Sequence, residues 1–370
     1  MSVDMTTQSI AVADNWVKVG NDYVGSQPNG ATSGGDAALE FSAPSGIAQG
    51  SSVSLLTDGT NPFGTGPTNV RYEDYGQAGV GVEVTAANTN FDSNNNFVKA
   101  IRDSDARSGA VSASTWQQHS ENSWRSADVY IDFAACTELF VSYAIKVPSG
   151  SNFPSGGNTG TDADYPAGSA WKTSWILGPN SATNDLVTGT VVGTGWSHAG
   201  NDLGVLRNWG NTPTWWEWGA WNRLTTWAKA GATPQTDAGN LYFQVANTVD
   251  TIFEDSTTPV VFGSGTAPYE WSRWQPQGWQ STATTQGGVK TLYDCIYIAT
   301  GANAAARVEL GDNAVYSSCT DLHIQHVTPA NWATGQIDWT LDLGPFSASN
   351  SLWLHITRED NSTQYSIQVS

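Results

Sequence analysis

Short runs in which apolar side chains take every second position, separated by Gly, Asn, Asp and Ser, recur through most of this chain and restrict it to β structure. Val129, Ile131 and Phe133 alternate with Tyr130 and Asp132. Leu139, Val141, Tyr143 and Ile145 alternate with Ser142, Ala144 and Lys146. The two runs bracket residues 134–138 and read as a hairpin. The pattern returns at 222–229, 241–245 and 292–299. Strand side chains point alternately to opposite faces, so each run offers one set to a core and the other to an exposed face. Helix is scarce, with one turn at most over 303–307. Many short antiparallel strands between Gly-rich turns predict an all-β fold, a two-sheet antiparallel jelly-roll sandwich.

Three segments are expected. Residues 1–35 are polar and Gly-rich and read as an N-terminal arm, with Ile10, Val12, Trp16, Val17 and Val19 as apolar residues that need a covering surface. Residues 36–319 carry the jelly roll. Residues 320–370 form a small β-sandwich module, in which Ile337, Trp339, Leu341 and Leu343 alternate, then Leu352, Leu354 and Ile356, then Tyr365, Ile367 and Val369. A module of that size is close to the limit for independent stability and is expected to lean on the main domain.

The charge balance excludes some partners. Lys plus Arg number 15 against 34 Asp plus Glu, a net charge of −19, so nucleic acid is not expected as a partner. No stretch approaches the roughly 18 apolar residues of a membrane helix, so membrane insertion is not expected. Met1–Thr6 lacks the basic patch and apolar core of a signal peptide. The expected location is a virion or the extracellular space, reached by assembly into a particle released by lysis. The three cysteines, Cys136, Cys295 and Cys319, form no closed disulfide set and read as small buried residues.

Tryptophan is the loudest chemical signal. Trp196, Trp209, Trp215, Trp216, Trp218, Trp221 and Trp227 lie close together, followed by Trp271, Trp274 and Trp279. Indole has a broad apolar face and one N–H, which suits the C–H face of a sugar ring. Gly210, Asn211, Thr212 and Pro213 read as a loop and hence as exposed. The candidate carbohydrate platform is therefore Trp209, Trp215, Trp216 and Trp218, with Arg207 and Glu217 as hydrogen-bonding partners. No pair of carboxylates has the spacing of a two-acid glycosidase. Groups suited to lyase chemistry, His119, Arg125, Lys146, Lys172, His198 and Arg207, are scattered, so no catalytic residue is assigned. Lys172, Arg207 and Arg223 are the cations nearest the tryptophans in sequence. No cofactor is expected beyond a structural calcium, for which Asp58-Gly59-Thr60-Asn61 and Asp360-Asn361 offer hard oxygen ligands.

Several stretches resemble a known family. Asn61-Pro62-Phe63-Gly64, Tyr72-Glu73-Asp74-Tyr75 and Gly79-Val80-Gly81 resemble the opening of a concanavalin A-like, polysaccharide-lyase-like jelly roll. So do Leu139-Phe140-Val141-Ser142-Tyr143, Trp171-Lys172-Thr173-Ser174-Trp175 and Trp221-Asn222-Arg223-Leu224. Tyr293–Ala299 with Ala306–Asp312 looks like the closing strand and exit. The likeness spans about residues 40–318. The terminal module is similar to small immunoglobulin-like sandwiches appended to such jelly rolls in phage or environmental surface proteins. The family's catalytic motifs match no position here. The absent motifs, with the missing signal peptide, the polar arm and the appended module, point to a non-enzymatic virion surface protein in contact with a host-surface glycan, assembling with other virion proteins or copies of itself through the arm, whereas the fold resemblance and the Trp-rich face favour an enzyme. The alternatives are a polysaccharide lyase or glycoside hydrolase, and a lectin-like adhesin.

Overall fold

A computed structural model describes residues 16–19, 22–24, 48–56, 64–87, 92–93, 100–117, 129–147, 170–179, 186–191, 195–200, 204–210, 215–232, 239–247, 253–260, 269–281, 289–333 and 336–368. The alternating runs form strands. In chain order they begin with β1 (Trp16–Val19), β2 (Asp22–Val24), β3 (Ser52–Leu56), β4 (Asn69–Glu73), β5 (Asp92–Ser93), β6 (Ala100–Asp103), β7 (Ser112–Gln117), β8 (Val129–Cys136) and β9 (Glu138–Lys146). Next come β10 (Ala170–Leu177), β11 (Leu186–Val191), β12 (Gly195–Gly200), β13 (Gly204–Gly210), β14 (Asn222–Lys229), β15 (Gly239–Ala246), β16 (Phe253–Val260), β17 (Trp271–Ser281) and β18 (Val289–Thr300). The last are β19 (Arg307–Gly311), β20 (Leu322–Ile324), β21 (Trp332–Ala333), β22 (Gln336–Thr340), β23 (Trp353–Thr357) and β24 (Thr363–Gln368).

The main body is an antiparallel jelly-roll sandwich. One sheet has seven strands in the order β13-β12-β11-β10-β17-β8-β5; the other has eight, β16-β15-β14-β9-β18-β7-β6 with β4 on the far end of β18. The core between them holds Ile131, Leu139, Val141, Tyr143, Ile145, Ile176, Leu224, Phe243, Trp271, Trp274, Tyr293 and Ile298. All three cysteines are free and buried.

The expected hairpin of β8 and β9 does not form. β8 pairs with β17 and β5, whereas β9 pairs with β14 and β18 in the opposite sheet. Thr137 alone separates the two strands, and one residue is too short for the two-residue turn that a hairpin needs. The chain instead turns a corner from sheet to sheet.

The expected segment boundaries also shift. β19 lies before residue 320, yet it joins β20, β23 and β24 in a four-stranded sheet, β20-β19-β23-β24. The N-terminal strands β1 and β2 are not a free arm: β1 pairs with β3, and β3 pairs with β22, in the five-stranded sheet β2-β1-β3-β22-β21. Ile10 and Val12 lie outside the described residues. The two smaller sheets enclose a second core of Val53, Leu55, Val308, Leu310, Trp332, Ile337, Trp339, Leu341, Leu352, Leu354 and Ile356. The alternation read over 337–356 is therefore real, but its partners come from both ends of the chain.

This second sandwich packs on the centre of the outer face of the eight-stranded sheet. Phe140, Trp227, Tyr242, Tyr297 and Ala299 from that face pack with Ala304, Ala305 and Ile324. β9 is consequently buried on both faces up to its last residue, where one exposed face was expected. At the centre of the contact Glu309, fully buried on β19, sits between Arg223 of β14 and Arg307. Arg223 Nη2 approaches Glu309 Oε1 to 2.5 Å and donates to Gln244 Oε1 at 2.9 Å. Arg307 Nε donates to Glu309 Oε2 at 2.8 Å; its Nη1 donates to the Ala305 carbonyl at 2.9 Å and to Asn361 Oδ1 at 2.8 Å, and its guanidinium lies 4.7 Å from the Phe140 ring. The Tyr316 hydroxyl donates to Glu309 Oε2 at 2.9 Å and accepts from Gln244 Nε2 at 2.9 Å.

Burial alone would raise the Glu309 carboxyl, but Arg307 and Arg223 outweigh it and bring it down to about 2. Removing one member of such a buried cluster leaves uncompensated charge, at a cost of about 3–5 kcal/mol. Glu309→Gln is predicted to lose that much stability in chemical denaturation at neutral pH; a loss near zero would contradict the arrangement. The pH response follows from the same shift. A carboxyl depressed in the folded state adds stability above its unfolded value, ordinarily 4.5, and that stability drains away as pH falls towards about 2. His355, pushed down to about 4 by burial, favours the fold increasingly as pH rises from 4 to 6.5; Asp294, raised to about 7 by burial, acts in the opposite sense over that range. The wild type should therefore lose stability most steeply below pH 4, and Glu309→Gln should flatten that limb.

Candidate carbohydrate-contact corner

The tryptophan-rich turn lies at one end of the eight-stranded sheet, between β13 and β14. It is built by amides. Asn222, fully buried at the start of β14, accepts the Glu217 N–H at 2.9 Å through Oδ1 and donates through Nδ2 to the carbonyls of Glu217 and Ala220 at 2.8 and 3.1 Å. Asn247 Nδ2 donates to Asn222 Oδ1 at 3.2 Å and also to the Trp215 carbonyl. Gly219, with φ of 79°, takes the left-handed conformation at the tip and donates its N–H to the Val147 carbonyl at 3.0 Å. The turn is thus tied to the ends of β9, β14 and β15.

This wiring sorts the candidate tryptophans. Trp215 and Trp216 are not exposed: they are 3% and 6% accessible and belong to the main core. Trp215 meets Phe243 edge-on at 5.5 Å, and half-buried Trp209 stacks on the same ring at 4.6 Å. The segment is a turn, as read, but Trp215 and Trp216 are not exposed as expected, because the buried amides of Asn222 and Asn247 tie it inward. Trp218 does reach solvent, at 47% accessibility, and meets Trp216 edge-on at 5.6 Å. Among the described residues the exposed large apolar side chains are Val80, Val82, Trp218 and Val315, so Trp218 is the aromatic one. Glu217 is half-buried beside it in sequence.

Two residues that the sequence reading did not place in the platform belong to the same corner. Trp221 is half-buried just before β14, and the Lys146 ammonium at the end of β9 lies 5.9 Å from its ring. Lys146 also bridges Asp105 at 2.8 Å. The Trp-x-x-Trp spacing around Gly219 was the available signal. Arg207 lies on β13 opposite His198 of β12; the side chains of Arg207, His198 and Lys172 lie outside the description, as do His119 and Arg125. Arg223 is not at the surface but is committed to Glu309.

Of the calcium candidates, Asp58–Asn61 lies outside the described residues. At the other, Asp360 Oδ1 accepts from the Ser362 N–H at 3.0 Å and hydroxyl at 2.5 Å, and Asn361 Oδ1 accepts from Arg307, so the chain's own donors occupy the turn. A shallow depression lined by Asn69, Arg71, Phe133, Thr300 and Pro329 lies at the other end of β9.

No family model matches the chain, and no curated protein matches it. Among solved structures it is similar to an endo-β-1,4-glucuronan lyase from the fungus Trichoderma reesei, at 13% identity over 64% of this chain and 98% of that one, with a TM-score of 0.40. It is similar to alginate lyase vAL-1 from a Chlorella virus, at 12% identity over 62% and 92%, TM-score 0.31. A further similarity is to the CBM2 module of the evolved Dit protein of Lactobacillus casei BL23 phage J-1, at 11% identity over 65% and 94%, TM-score 0.27. Likenesses this distant carry no argument about activity.

The clamp makes its own prediction. Asn222→Ala removes four hydrogen bonds and strands buried partners, each worth about 1–3 kcal/mol when left unsatisfied. The variant should lose at least about 2 kcal/mol and shift tryptophan emission to the red as Trp215 and Trp216 meet water. Unchanged stability and emission would mean that the turn is held by something else.

Proposed function

We propose that this chain is a non-enzymatic surface protein that contacts carbohydrate through Trp218, with Trp221 and Glu217 beside it. The observation that carries this reading is an exposed indole on a turn fixed by buried amides. Such a ring offers its apolar face without an ordering cost when a sugar stacks on it. The platform is smaller than the sequence suggested, because Trp215 and Trp216 act as its foundation. One stacking site gives weak binding, about millimolar, so multivalent display on a virion surface, assembled with copies of itself or other virion proteins, would supply the avidity.

Trp218→Ala is predicted to weaken binding to host cells or isolated glycans at least about tenfold, with the unfolding midpoint unchanged, since an exposed side chain contributes little to the fold. Equal binding by the variant would remove Trp218 from the reading. Measurable depolymerisation of any polysaccharide by the wild type would replace contact by turnover, and absence of the chain from purified particles would remove the virion placement.

A further inference from the structure

We infer that the Trp218 corner selects uncharged sugar chains, of the hexose or N-acetylhexosamine class, and discriminates against uronates and other anionic glycans. This rests on the carbohydrate reading above and adds the ligand's charge. A uronate carboxylate is held most strongly by a cation whose charge is not already neutralised. Among the described residues the cation at this corner is Lys146. Its ammonium lies 2.8 Å from Asp105 Oδ2 and 2.9 Å from Oδ1, so its charge is matched before any ligand arrives. Glu217, next to Trp218, adds a carboxylate.

Three described arginines near these strands, Arg223, Arg107 and Arg102, are turned away from the surface. Arg223 is 2% accessible and is bound to Glu309; Arg107 is 8% accessible and donates to the Leu322 carbonyl at 2.8 Å and to Asp321; Arg102 is 1% accessible and donates to the Tyr75 carbonyl at 2.8 Å. The whole chain carries −19. An anionic polymer therefore approaches a negative surface and finds a compensated lysine, whereas a neutral ring needs only the indole faces and hydroxyl partners.

The test is titration of the full chain with length-matched oligomers of glucose, N-acetylglucosamine and glucuronate, at low and at physiological ionic strength, beside Trp218→Ala and Asp105→Asn. The expected result is binding of a neutral oligomer at least about tenfold tighter than glucuronate, nearly independent of salt and lost in Trp218→Ala. Asp105→Asn, which releases the Lys146 charge, should raise glucuronate affinity about fivefold at low salt. Glucuronate bound as tightly as the neutral oligomers, and still lost in Trp218→Ala, would overturn the selectivity while leaving the carbohydrate corner standing. An unchanged glucuronate affinity in Asp105→Asn would also overturn it. Binding of none of the three, or binding indifferent to Trp218→Ala, would overturn the corner itself and the selectivity with it.

Discussion

Glu309 is the constraint on which the rest of this architecture depends. A carboxylate with no solvent access is tolerable only with cations on it, and its two cations come from different sandwiches: Arg307 from its own strand, Arg223 from the jelly roll. Both oxygens are taken, and Tyr316 and Gln244 extend the network into the jelly-roll sheet. The aromatic ring of Phe140 beneath Arg307 and the neighbouring Trp227, Tyr242 and Tyr297 supply the apolar area around this polar centre. Charge pairing fixes the register of one sandwich on the other, and apolar burial supplies the larger part of the attraction.

That docking decides where function can reside. The centre of the eight-stranded sheet's outer face is covered, which leaves the sheet ends and the opposite sheet open to a ligand. The corner at the end of β9 is the place where buried asparagines hold an indole outward. Rigidity there is inherited: Trp218 rests on Trp216, Trp216 belongs to the core, and the turn's backbone is spoken for by Asn222, Asn247 and Val147.

The all-β class and the inward faces of most strands were legible in the sequence, because period-2 alternation reports a buried face directly. Leu139, Val141, Tyr143 and Ile145 lie in the core as that alternation requires. What lies on the other face was not legible. Arg307-Val308-Glu309-Leu310 alternates like a strand with a wet charged face, yet Arg307 and Glu309 are 1% and 0% accessible. Nothing local distinguishes a charge bound for water from one bound for a partner 86 positions away in sequence, as Arg223 is from Glu309. The pairing of β3 with β22 was hidden for the same reason, since it joins residues near 54 to residues near 338. Among the tryptophans, neighbours on a turn looked alike; their separation into core and surface is the work of Asn222 and Asn247, whose amides carry no periodic signal.

The central claim is that one corner of the jelly roll, and Trp218 in particular, meets sugar. Nitrogen-15 indole spectra of the full chain, recorded during titration with a neutral oligosaccharide and assigned by single Trp→Phe variants, test it most directly. The account predicts that the Trp218 indole signal moves furthest, Trp221 less, and Trp215 and Trp216 hardly at all. A Trp218 signal that stays fixed while indoles of the seven-stranded sheet, such as Trp175, respond to the sugar would contradict it.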